Sequence, residues 1–124
     1  MKKGEYISMK KMKIKILEEF SDSPCSREDG ELFRDTILLP KLVISHNMKE
    51  KLIIDFDGTY GVGIPFLKEA FGGLIEIYKY DKKTILKDIE FISRDDETVP
   101  KRIKDYLDQV SKDNKISHKL RWMK

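Results

Sequence analysis

The chain has 124 residues, the size of one domain, and its 40% hydrophobic content suits one compact core rather than two. Its 25 basic residues nearly balance 22 acidic ones, so a net charge of +3 argues only weakly for a polyanionic partner. A single cysteine, Cys25, excludes an intramolecular disulfide, no apolar run approaches the roughly eighteen residues of a membrane span, and the basic N-terminus lacks the apolar core of a signal peptide, so a cytoplasmic protein is expected.

After a basic start, for which a flexible segment over 1–11 is expected, Met12, Ile14 and Ile16 alternate with Lys13 and Lys15. That period of two predicts a strand with one face in the core, running on to Phe20. Ser21 to Gly30 is rich in turn residues and reads as a loop, with Ser26 or Asp29 placed to cap the next element. From Glu31 to Met48 the apolar residues recur too densely for a narrow stripe, which predicts a largely buried helix. Pro40 falls inside it and predicts a kink or a break, leaving one helix or two. Lys51 to Phe56 is a short apolar run that predicts a buried strand.

Phe66, Leu67, Ala70, Phe71, Leu74 and Tyr78 lie at spacings of one, three and four, so a second helix is expected there, with Pro65 in its first turn. Ile89, Phe91 and Ser93 alternate as a third strand. Val99, Ile103, Tyr106, Leu107 and Val110 predict a helix capped by Thr98 and ending near Asp113 and Asn114, before a last strand carrying Ile116, Leu120 and Trp122. Strand and helix alternate throughout, which implies a single α/β sandwich over 1–124 with a mixed or partly parallel sheet.

Few residues carry recognisable chemistry. Cys25, His46 and His118 are far apart and lack close second ligands, so no metal site is expected. No Gly-x-Ser-x-Gly elbow is present. Gly58, Gly61 and Gly63 lie between a strand and a helix, where backbone N–H groups can cradle phosphate, but the Gly-Lys-Ser/Thr of a Walker loop and the third glycine of a dinucleotide fingerprint are both missing. Asp55 and Asp57 have the spacing of a catalytic or magnesium-binding pair; Asp57-Gly58 is also a turn signature, and the turn is the favoured reading. The basic residues Lys2, Lys3, Lys10, Lys11, Lys13, Lys15, Lys115, Lys119, Arg121 and Lys124, with Trp122, offer a nucleic-acid patch or solvated strand edges.

The run Asp55-Phe56-Asp57-Gly58-Thr59-Tyr60-Gly61, followed by Phe66-Leu67-Lys68-Glu69-Ala70-Phe71-Gly72-Gly73-Leu74, resembles the signature of the STAS-like domains of unknown function. Upstream, Ser26-Arg27, Gly30-Glu31, Phe33-Arg34 and Leu38-Leu39-Pro40 resemble the segment that precedes it, so the likeness spans about 20–75. The resemblance implies a mixed-sheet α/β module related to anti-sigma factor antagonist STAS domains, acting through protein contacts without a cofactor. It also implies a histidine-kinase-like ATPase or anti-sigma-type regulator as partner, in bacterial signalling or defence. Pro65 occupies the position where the family usually carries a serine, the phosphorylated residue of STAS domains proper, so the usual switch is missing and Thr59 is the nearby candidate phosphoacceptor.

The leading expectation is a non-enzymatic interaction module that docks a protein partner through Thr59, Tyr60, Gly61, Gly63, Pro65, Phe66 and Glu69. One alternative is a nucleotide-binding or metal-assisted enzyme using Asp55, Asp57 and the glycine loop. The other is a nucleic-acid-binding regulator using the basic termini.

Overall fold

The computed structural model describes residues 12–122. The predicted segment 1–11 and Lys124 lie outside the described residues.

Strand β1, Met12–Lys15, sends Ile14 inward and leaves Lys13 and Lys15 exposed, as the alternation requires. It does not continue to Phe20. Ile16–Glu19 forms a helical turn, α1, which the Glu19 carboxylate fastens by accepting the Lys15 N–H at 2.9 Å. Helix α2 then runs without interruption through Arg27–Phe33, a wide π turn at Arg34–Leu38, and Leu39–Asn47. Ser26 caps it, its hydroxyl accepting the Asp29 N–H at 3.0 Å, with Glu28 and Asp29 favourably placed in the first turn.

The break considered at Pro40 does not occur, and a π turn precedes it instead. The Leu39 N–H reaches back five residues to the Arg34 carbonyl, and the ladder is already displaced where Pro40 brings no N–H. One helix results, not two.

Strand β2 is Leu52–Asp55, and helix α3 covers Ile64–Leu67, a second π turn at Lys68–Gly72, and Gly73–Glu76. The helix continues through Gly72-Gly73. Helix α4, Lys82–Asp88, was not legible as a separate element; the Asp81 side chain caps it by accepting the Lys83 N–H at 2.7 Å. Strand β3 is Ile89–Ile92, and helix α5 runs from Thr98 to Trp122. Its start is capped by Asp96, whose carboxylate accepts from both the N–H and the hydroxyl of Thr98. Its end overturns the expected last strand: 114–122 contains no glycine or proline, and its lysines, leucine and arginine are good helix formers. No described helix is long and apolar enough to cross a membrane.

The three described strands form a parallel sheet in the order β1-β2-β3, with Ile14, Ile54 and Phe91 in register. With that steady order, right-handed crossovers place both connecting helical segments on one face. Ile14, Leu52, Ile54, Phe56 and Ile89 line that face and are buried with Phe33, Leu38 and Leu42 of α2, Phe66, Leu67, Phe71 and Leu74 of α3, and Ile103 and Leu107 of α5. A chain of touching rings runs Phe20, Phe33, Phe71, Phe91, with centroids 5.4, 6.4 and 5.2 Å apart, and Phe66 packs on both Phe20 and Phe33.

Candidate functional site

The β2–α3 connection, 56–63, leaves the carboxyl end of the central strand, where open α/β sheets bring loops together. Local hydrogen bonds give it a fixed shape. Asp55 is buried; its Oδ1 accepts the Asp57 N–H at 2.9 Å, and its Oδ2 lies 3.5 Å from Lys13 Nζ and 3.7 Å from Arg94 Nη2. Asp57 accepts the Arg94 N–H at 2.6 Å and pairs with the Arg94 guanidinium at 2.6 Å. The Gly58 N–H donates to Asp95 Oδ2 at 2.9 Å, tying the loop to the residues after β3. Gly58 and Gly61, at φ of 86° and 58°, take the left-handed turns that side chains disfavour.

Both acids are thus engaged in shaping the turn. Among the described residues no three His, Cys, Asp or Glu side chains converge as a metal site requires. His46 is exposed beside Asp88, with Nδ1 3.1 Å from Oδ2, and Cys25 is exposed in the loop before α2. His118, Trp122 and most of the basic patch have no described side chains; of the rest, Lys13 pairs with Asp55 and Lys15 with Glu18 at 3.6 Å.

Burial acts to raise the Asp57 pKa, but the Arg94 backbone N–H and guanidinium outweigh it and hold the carboxyl below the usual aspartate range. A depressed folded-state pKa stabilises the fold above the ordinary value of about 3.9 and loses that contribution as pH falls through the lower, folded value. Arg94→Ala is therefore expected to lower the urea midpoint at neutral pH, and the gap from the parent should close as the pH drops below about 4. A gap that stays constant down to acid pH would remove Asp57 from the account.

The remainder of the loop leans on the segment before α2. The Tyr60 N–H donates to the Asp22 carbonyl at 2.9 Å and the Gly63 N–H to the Pro24 carbonyl at 3.0 Å. Thr59 is half-buried, its hydroxyl donating to the Phe56 carbonyl at 2.6 Å, so the candidate phosphoacceptor oxygen is turned to the backbone. Tyr60 stands out with 63% of its surface exposed. Pro65 is exposed in the first turn of α3, beside Ile64 at 48% exposure.

Two predicted docking residues are not free to dock. Phe66 has no exposed surface; its ring is packed between Phe20 and Phe33, so its place in a partner-binding face is corrected to a core position. Glu69 accepts from Arg34 Nη1 at 2.9 Å and from Arg27 Nε at 3.2 Å, and its own carbonyl accepts from Arg34 Nη1 at 2.7 Å. It is an anchor between α2 and α3. Arg34, 1% exposed, also donates from Nε to Asp35 at 2.9 Å, and a β-carbon at Gly73 would collide with its guanidinium. Arg34 therefore packs against the bare face of Gly73, while Gly72 faces Val110.

The solvent-facing part is a ridge of Tyr60, Gly61, Ile64, Pro65 and Lys68 on a pinned backbone. Ile64 was not among the predicted residues, and its only sequence signal is that it falls outside the stripe of Phe66, Leu67, Ala70 and Phe71. Arg34 was also missed.

An α/β domain with a parallel sheet, helical crossovers and a signature loop leading from the central strand into a helix is the class these features define. The model of the STAS-like domain of unknown function, DUF4325, matches residues 29–99, and the chain belongs to that family. No curated protein and no solved structure matches it.

Proposed function

We propose that the chain is a non-enzymatic regulatory module that binds another protein through the ridge of Tyr60, Gly61, Ile64 and Pro65. The observation that carries this is the exposure of two large apolar side chains, Tyr60 and Ile64, on a loop held rigid by hydrogen bonds at both Tyr60 and Gly63. A rigid aromatic anchor loses little entropy on docking, which favours it as the centre of an interface. The family likeness supports a regulatory role, and the resemblance to anti-sigma factor antagonist domains implies a histidine-kinase-like ATPase or an anti-sigma-type regulator as the partner. Pro65 in place of the family serine makes binding independent of phosphorylation at that position.

The test is a tagged full-length chain produced in its native host, with the recovered partner purified and its affinity measured directly. Tyr60→Ala with Ile64→Asp is expected to weaken binding about a hundredfold, the effect of losing two central contacts, while circular dichroism stays unchanged. Parent-like affinity in that variant refutes the ridge. Saturable binding of a nucleotide with Mg²⁺ to the isolated chain, read by thermal shift and calorimetry, would instead support the enzymatic alternative through Asp55 and Asp57.

A further inference from the structure

The outer face of α2 is apolar where a solvent-facing helix would ordinarily be polar. Glu28, Leu32, Thr36, Pro40, Ile44 and Met48 recur every four residues along it, and all six are exposed. Leu32, Ile44 and Met48 keep 55%, 48% and 58% of their surface in solvent, and Val43 beside them keeps 44%. No other described element concentrates as many of the large exposed apolar side chains.

Charge is divided along the same helix. Glu28, Glu31 and Asp35 lie in its first half, beside Arg27, which is tied to Glu69, and Lys41 and Lys49 lie in or just beyond its second. Asp35 is engaged by Arg34 and Tyr78, Lys41 by Glu19 and His46 by Asp88; among the described residues Glu28, Glu31 and Lys49 have no ion pair. A helix that is acidic at one end, basic at the other and apolar between is complementary to itself turned end for end. About a two-fold axis near Leu38, Leu32 meets Ile44, Thr36 meets Pro40 and Glu28 meets Lys49. A parallel arrangement would set like charges side by side, so the charge pattern selects the antiparallel one.

We propose that this face of α2 docks a second copy of the chain in antiparallel, two-fold pairing. One helix about 30 Å long buries less than the roughly 800 Å² per partner of a standard interface, so the dimer is a weak one that depends on concentration. The pairing is independent of the ridge at Tyr60 and Ile64, and its failure leaves that reading intact.

Sedimentation equilibrium of the full chain from about 5 to about 500 µM measures it. A concentration-dependent dimer is expected, with affinity falling about a hundredfold in Ile44→Asp, because the buried charge occurs twice across the two-fold axis. Glu28→Lys and Lys49→Glu should each weaken it about tenfold, and the two together should restore it, since the swapped pair is again complementary. Leu32→Gln serves as a second apolar variant should Ile44→Asp lose its circular dichroism. A chain that stays monomeric throughout, a dimer indifferent to Ile44→Asp or Leu32→Gln, or a double charge variant no tighter than the singles overturns the proposal.

Discussion

Arg34→Ala is expected to lose about 3 kcal/mol of stability, measured by urea unfolding at neutral pH. The side chain is fully enclosed, and it bridges α2 to both the carbonyl and the carboxylate of Glu69 on α3. Truncation opens a void above Gly73 and withdraws the main cationic partner from a half-buried carboxylate. Glu69→Gln keeps an acceptor for Arg34 and should cost only about 1 kcal/mol. A loss for Arg34→Ala no larger than that of Glu69→Gln would show that the bridge between the helices contributes little.

Phe66→Ala should cost about 3–5 kcal/mol, the range for removing a buried aromatic ring. Its ring lies 6.0 Å from Phe20 and 5.6 Å from Phe33, so the loss reaches the loop before α2 as well as α2 itself. Phe66→Asp places a charge without a partner in the same space and is expected to abolish the cooperative unfolding transition. Lost partner binding in Phe66→Asp would therefore report an unfolded chain. Tyr60→Ala, by contrast, should unfold within about 0.5 kcal/mol of the parent, as exposed positions usually do; a Phe66→Ala chain of parental stability would return that residue to the surface.

These contrasts mark how far the sequence could be read. Ile14 against Lys13 and Lys15, and the apolar run at Leu52 to Phe56, announced their strands because period two and continuous burial are strong signals. Phe66 belongs to an apolar stripe, yet a stripe says only that a face is covered, and its cover is the protein's own Phe20 and Phe33. Asp55 and Asp57 were legible as turn-formers because the Asx turn is local, whereas Arg94 and Asp95, which complete the loop, arrive from the end of β3 about 37 residues later in the chain. Arg34 was invisible for the same reason: its partner Glu69 is brought to it by the packing of α3 on α2. The strand expected at the C-terminal end failed because a few apolar residues among lysines satisfy either period.

The two π turns change how positions on these helices are counted. Each admits one residue beyond the ordinary spiral, so everything after Leu38 in α2 and after Gly72 in α3 is rotated by about 100° from where a count of 3.6 residues per turn would put it. Phe33 and Leu38 share the core five residues apart, a spacing that an unbroken helical wheel assigns to different sides. Residue roles carried onto this chain from a helix without those insertions would land on the wrong side of the cylinder beyond either point. A role shared through this family is therefore best transferred in two phases, one on each side of the insertion.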